Sequence, residues 1–256
     1  MYKKVDGGRK NLTAYYHERT AQVCADYLIP HIKPDSKILD VGCGPGSITK
    51  DLANLAPSGT TVGVDYSSTV VSQARASYPL PNLTFEVGNA LKLEFPDNSF
   101  DIVHCHCVLE HLSGSGPKEA MKEFHRVCRP GGVVAVCDCN TETAKWEDAN
   151  DGMLDYWKHA EEATYRTGTH PHAGYELARD ALEAKFARVE AKNAVLQVNV
   201  PVGGPCAPGE GEDFCLRLEM GTLEQIREWD KAFKEWEKNG GRGWFFETVQ
   251  LLAWKE

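Results

Sequence analysis

The 256-residue chain has no apolar stretch approaching the ~18 residues that span a bilayer, and no hydrophobic run follows its basic start, MYKKVDGGRK. Neither a membrane span nor a secretory leader is expected. Positive charge is in short supply. Against 37 Asp and Glu stand 28 Lys and Arg, a net charge of −9. A surface built to hold phosphate backbones needs clustered Lys and Arg, so nucleic acid is not an expected partner. Also missing are internal repeats, low-complexity blocks and any Cys-x-x-Cys pair at zinc-site spacing. The nine cysteines are odd in number and lie mostly in apolar, strand-like runs, a poor disulfide framework. They read as free, buried thiols, which makes the reducing cytoplasm the expected compartment.

What is present suffices for a core: 42% of residues are hydrophobic and 25% charged. The length fits one large domain, 1–256. Residues 1–35 read as an N-terminal helical cap, with Leu12, Tyr15, Tyr16, Val23 and Leu28 on one helix face and Pro30 and Pro34 ending it. From 36 to 140, short apolar runs at 37–41, 60–64, 83–87, 100–105 and 133–137 alternate with helical patterns at 47–55, 67–77 and 117–127, with a Pro130–Gly132 turn before the last run. That alternation predicts βαβ units and a parallel sheet with right-handed crossovers. Residues 141–173, rich in Trp, Glu and His, interrupt it and are expected to form a helical lid over the carboxyl edge of the sheet. The remainder, 174–256, supplies a helix at 174–186, a strand at 187–200 and a Pro/Gly-rich loop at 201–211. A helix opened by the capping box Thr222–Gln225 and a strand from 243 follow.

The most informative segment is Ile38-Leu-Asp-Val-Gly-Cys-Gly-Pro-Gly46, three glycines between a buried strand and a helix. Without Cβ atoms such a turn can press against a ligand and aim its amides at it. An acidic residue at the end of the next strand would accept hydrogen bonds from ribose hydroxyls, and Asp65 stands there, 21 residues after Gly44.

With DVGCGPG (40–46), GVDYS (63–67), GNALKLEFPDNSFDIV (88–103), VLEHL (108–112) and RVCRPGG (126–132) in this order, the chain resembles class I S-adenosylmethionine-dependent methyltransferases. Within that class it is most similar to the ubiquinone/menaquinone-biosynthesis branch of small-molecule enzymes. The resemblance covers about 36–139 and implies an α/β, Rossmann-like, doubly wound sheet of seven mostly parallel strands. It implies S-adenosyl-L-methionine as cofactor and a small-molecule methyl acceptor, the chain acting as monomer or homodimer. Position by position, it puts Gly42, Gly44 and Gly46 along the methionine portion and ribose, with Asp40 opening the loop. Asp65 falls on the ribose, Tyr66 on the adenine face and Asn89-Ala90 on the adenine edge, where the family usually has Asp-Ala. Cys105 and His106 fall near the sulfonium. More loosely, Tyr16 and Arg19, in YYHERT, match the N-terminal cap that reaches the cofactor's carboxylate.

Methyl transfer needs a nucleophile aligned behind the methyl carbon and, for an acceptor that keeps its proton, a base. His111 beside Glu110 is the first candidate and His106 the second, with His170 and His172 as substrate contacts. His104, Cys105, His106, Cys107 and His111 invite a metal reading, but alternate strand residues point to opposite faces, so 104 and 106 cannot easily converge with 105 and 107, and no metal site is expected. The aromatic residues of the insertion (Trp146, Tyr156, Trp157, Tyr165) suggest an apolar or aromatic acceptor. Two other functions fit less well: a nicotinamide-dependent oxidoreductase, against which the Gly-x-Gly-x-Gly spacing speaks, and a cofactor-binding regulatory protein without turnover.

Overall fold

The computed structural model describes residues 19–199, 206, 208–241 and 243–256. Most of the expected N-terminal cap, Tyr16 included, and most of the loop at 201–211 lie outside them. In chain order the elements are α1 (Ala21–Cys24), a 3-10 turn at Ile29–His31, β1 (Lys37–Val41), α2 (Ser47–Leu55), β2 (Thr60–Asp65), α3 (Ser68–Ser77), β3 (Leu83–Val87) and β4 (Phe100–His106). A second 3-10 turn (Leu109–His111) leads to α4 (Gly116–Val127), β5 (Cys128–Trp146), α5 (Asp151–Thr167), α6 (Ala173–Glu183), β6 (Arg188–Asn199), α7 (Glu210–Arg217), α8 (Leu223–Lys238) and β7 (Gly243–Trp254).

One seven-stranded sheet runs β3-β2-β1-β4-β5-β7-β6. Strands β1 to β5 pair in parallel, and β7 inserts antiparallel between β5 and β6. This is the doubly wound arrangement the βαβ alternation predicts. Alternation along each strand divides the core into two layers. Leu39, Val41, Val103, Cys105, Val134 and Val136 pack against Ala120, Met121 and Phe124 of α4 and Leu177 and Ala181 of α6. Ile38, Ile102, Val133 and Ala135 face the other way, onto Ala21 and Cys24 of α1 and Ile48 and Leu52 of α2.

The insertion departs from expectation in its first part. Residues 141–146 continue β5 instead of starting a helix, paired to β7 past an irregularity between Asn140 and Lys145. Helix α5 begins after them, its N-terminus capped by Asn150, whose side chain accepts the Met153 amide at 3.0 Å. The stretch expected to turn at Pro130–Gly132 is likewise the opening of β5. Helix α7 was concealed by its Pro/Gly-rich approach. The Thr222–Gln225 capping box forms as expected, the Gln225 amide donating to Thr222 Oγ1 at 3.2 Å. Three of the four aromatic residues that suggested an apolar acceptor are occupied in packing, while Tyr165 is exposed. Trp146, Tyr156 and Trp157 join Trp229, Phe233 and Trp236 of α8 in one cluster, with Tyr156 meeting Trp229 and Phe233 edge to face. No helix is long and apolar enough to cross a membrane among the described residues.

Candidate active site

The strand order reverses at β1, with β2 on one side and β4 on the other, and ligands of open α/β sheets bind at such a point, outside the carboxyl ends of the strands. The glycine loop leaves β1 there. Gly42, Gly44 and Gly46 all have positive φ, at 72°, 53° and 88°, conformations that other residues adopt only with strain. The three differ in surroundings. A Cβ on Gly42 would stand 2.2 Å from Val108 Cγ2, and one on Gly46 would stand 2.6 Å from the Phe85 ring. Around Gly44 no described atom comes within 4 Å of that position. Gly42 and Gly46 are therefore required by the protein's own packing, whereas Gly44 borders space that a ligand can fill.

Asp65 closes the other side of this space. At the end of β2 its carboxylate accepts the Gly44 amide at 3.1 Å and the Ser67 amide at 2.9 Å, so loop and acid are locked to each other. Tyr66, next to it, is 64% exposed. Asn89 is exposed and Ala90 half-buried, and the Asn89 side-chain carbonyl accepts the Leu91 amide at 3.0 Å, shaping the turn after β3. The segment beyond is pinned by Arg126, which donates to the carbonyls of Leu93 and Phe95, and by Glu123, which accepts the Leu93 amide. Together a glycine cradle open at its middle and a carboxylate at the adjoining strand end suit a ribose-bearing ligand such as S-adenosyl-L-methionine.

Other expected residues sit differently. Asp40 lies under the loop, 3% exposed, and bonds His104 and Thr49. Cys105 is wholly buried in the layer under α4, which leaves only its backbone for a ligand. His104 and His106 share the opposite face, their rings parallel at 6.4 Å. Alternation keeps both rings away from the Cys105 side chain, but His106 Nε2 lies 3.5 Å from Cys107 Sγ, so the expected separation of His106 from Cys107 does not hold. Burial, helped by the nearby charges of Arg19 and His104, pushes the His106 imidazole well below its usual pKa, so it stays neutral. His111 is exposed, its Nε2 3.6 Å from Glu110 Oε1. Of the insertion's histidines, His170 donates its amide to the Glu110 carbonyl, and His172 Nδ1 lies 2.9 Å from Glu142.

One group was missed. Cys107, Glu110 and Cys139 converge, their ligand atoms all within 4.8 Å of one another. Asp138 shapes the backbone around them, its Oδ2 accepting the amides of Val108 and Leu109 and its Oδ1 that of Cys139. Burial first, and the Glu110 charge second, push its carboxyl up to about 8. The carboxyl ends of β4 and β5 therefore carry thiols, a carboxylate and an exposed imidazole beside the glycine loop.

The family described as a methyltransferase domain matches residues 32–198. An uncharacterized methyltransferase of Schizosaccharomyces pombe is 34% identical over 180 residues, 66% of this chain and 63% of its own length. A demethylmenaquinone methyltransferase of Symbiobacterium thermophilum is 35% identical over 133 residues, 50% of this chain and 51% of its own. The chain spans between about half and just under two thirds of these relatives. Among solved structures, the YcgJ protein of Bacillus subtilis shares the fold with a TM-score of 0.57 at 18% identity, covering 90% of this chain and 97% of that one. The phosphoethanolamine N-methyltransferase 2 of Haemonchus contortus, solved with S-adenosylhomocysteine and phosphomonomethylethanolamine, gives 0.54 at 16% identity over 88% of this chain and 50% of its own.

Proposed function

Because the chain belongs to the class I S-adenosylmethionine-dependent methyltransferases, we propose that it methylates a small-molecule acceptor held over the carboxyl edges of β4 and β5. Bound in the glycine cradle, the cofactor supplies a methyl group on a sulfonium, open to in-line displacement. Gly42–Gly46 holds the methionine and ribose portions, Asp65 accepts the ribose hydroxyls, and Tyr66 with Asn89-Ala90 encloses the adenine. By the same resemblance Arg19, and Tyr16 outside the described residues, are assigned to the cofactor's carboxylate. His111, exposed beside Glu110, takes a proton from an acceptor that carries one, and residues 147–173, after the end of β5, cover the acceptor within a single domain of cap, core, lid and C-terminal strands. The half-length similarity to demethylmenaquinone methyltransferases supports a quinone-type branch. The apolar-acceptor reading loses its support from Trp146, Tyr156 and Trp157, which pack against α8, and the polar rim of Cys107, Glu110 and His111 favours an acceptor with a polar handle.

The reading is carried by Gly44, whose missing side chain borders open space beside the Asp65 carboxylate. Calorimetric titration of the chain with S-adenosyl-L-methionine, its demethylated product and NAD tests it. Micromolar binding of the first two and not of NAD is expected, weakened roughly tenfold or more in Asp65→Asn, since a hydrogen bond to a charged group contributes about 1.5–3 kcal/mol. Labelled-methyl transfer to fractionated metabolites then identifies the acceptor. Binding of NAD alone would overturn the reading, and tight cofactor binding without transfer would leave a regulatory protein.

A further inference from the structure

We propose that Cys107, Glu110 and Cys139 bind one thiophilic divalent cation, best matched by zinc, at the carboxyl edge of β4 and β5. This departs from the expectation of no metal site, and the reason is geometric. Alternation forbids convergence within β4, but Cys107 lies just past the strand and comes from another direction. Its φ of +53° puts a non-glycine residue in the left-handed region, and its amide donates to the Cys137 carbonyl at 2.8 Å. Such a backbone costs about 1–3 kcal/mol and persists only where surrounding structure over-determines it. The turn brings the Cys107 thiol toward Cys139 on the neighbouring strand, while the 3-10 turn at Leu109–His111 delivers Glu110 from above.

The three donors suit the ion. Two thiols and a carboxylate are a borderline-soft set, and zinc bonds of ~2.0–2.3 Å give a tetrahedron with edges of roughly 3.3–3.8 Å. The donor atoms lie within 4.8 Å of one another, and the Cys139 thiol already meets Glu110 Oε2 at 2.6 Å. A cation between them would relax that close contact to the tetrahedral edge and draw Cys107 inward. On binding, both thiols become thiolates and their two protons leave to solvent, so metal, two thiolates and carboxylate carry a net charge of −1. Three protein ligands with a fourth position for water is the pattern of sites that also hold a substrate. Here that position would take an anionic or thiol acceptor. Val108, which packs over Gly42, follows Cys107 directly, so the cation would sit beside the cofactor cradle.

Cobalt and zinc titration of the chelator-stripped full chain, kept reduced by a phosphine, tests this without any methyl transfer. One Co²⁺ per chain is expected, with a sulfur-to-cobalt charge-transfer band and the visible bands of tetrahedral cobalt, displaced by Zn²⁺. Cys107→Ser and Cys139→Ser should each weaken binding at least 100-fold, and Glu110→Gln roughly tenfold. Cys206 and Cys215, whose sulfurs lie 3.9 Å apart, are a close thiol pair on another part of the fold, so the double variant Cys206→Ser/Cys215→Ser must bind normally. Should a serine variant unfold by circular dichroism, protection decides: zinc should slow alkylation of Cys107 in the unaltered chain at least tenfold. Absence of one-to-one binding, loss of the cobalt band in the Cys206/Cys215 variant, or alkylation unaffected by zinc would each overturn the proposal. Cofactor titration of the same samples separates its failure from that of the methyltransferase reading.

Discussion

Asp40 and His104 meet across neighbouring parallel strands, Oδ1 to Nδ1 at 2.7 Å, beneath the glycine loop and not within it. The second carboxylate oxygen accepts from Thr49 Oγ1 at 2.6 Å in the first turn of α2. One buried acid thus ties β1 to β4 and to the helix that follows the loop, fixing the loop from below. Sequence resemblance assigns Asp40 to the cofactor site, and the geometry assigns that influence to positioning.

Asp40→Asn should therefore lower stability and cofactor affinity together. The amide keeps one acceptor and turns the other into a donor, which costs about 1–3 kcal/mol. For a chain of this size the melting temperature should fall by roughly 2–4 °C per kcal/mol. Asp40→Ala should do worse, because His104 Nε2 is already buried without a hydrogen-bond partner among the described residues and Nδ1 would join it. Thermal melts paired with cofactor titration check this. A large affinity loss at unchanged melting temperature would mean direct contact with the ligand.

The glycines separate along the same line. Gly44→Ala forces a side chain to φ +53° at about 1–2 kcal/mol and fills the open space, so the protein should melt only a few degrees lower yet lose at least tenfold in cofactor affinity. Gly42→Ala meets Val108 at 2.2 Å, so fold and binding should fail together. Equal effects on stability in the two variants would remove the case for a ligand beside Gly44.

His111 and His106 are distinguished by environment. The exposed His111 can be replaced by Asn without disturbing the core, so His111→Asn should lower kcat by about 10²–10⁴ on an acceptor that must lose a proton, with cofactor affinity and melting temperature unchanged. His106→Asn should instead lower the melting temperature, since the ring is 7% exposed and stacks on His104. Steady-state kinetics and melts on both variants read the difference.

The βαβ core was legible because each strand from Lys37 to Val136 is a short apolar run with turn residues at its ends, and Asp65 was legible because strand end and spacing are local properties. Three features were not. Helix α7 hides behind Pro and Gly, whose local preferences oppose a helix that packing imposes. The insertion's aromatic residues look alike whether they line a pocket or meet Trp229 and Phe233 of α8, and only the three-dimensional partner decides. Convergence of Cys107 with Cys139 joins residues 32 apart in the chain through strand pairing and one left-handed residue, which no periodicity encodes.

The last prediction concerns Glu123, which holds the segment after Asn89-Ala90 in place. Its Oε2 accepts the Leu93 amide at 2.8 Å and Arg126 Nη2 at 2.7 Å, and its Oε1 accepts Arg126 Nε at 2.8 Å. The Arg126 hydrogen bonds, above all, and the Leu93 amide lower its carboxyl below the ordinary value, against a smaller opposing effect of burial. A carboxyl with a lower pKa in the folded than in the unfolded chain binds its proton less readily when folded. Its contribution is complete above the unfolded value, near 4.3, and disappears as pH falls through the folded one. Glu123→Gln should consequently cost about 1–2 kcal/mol at pH 7, lowering the melting temperature by roughly 2–4 °C per kcal/mol. As pH falls through the folded value the two proteins should converge. Because Leu93 and Phe95 follow the Asn89-Ala90 turn, cofactor affinity should fall several-fold at pH 7, and a melting difference that did not shrink as pH was lowered through the acid range would assign the stabilisation to side-chain packing and not to charge.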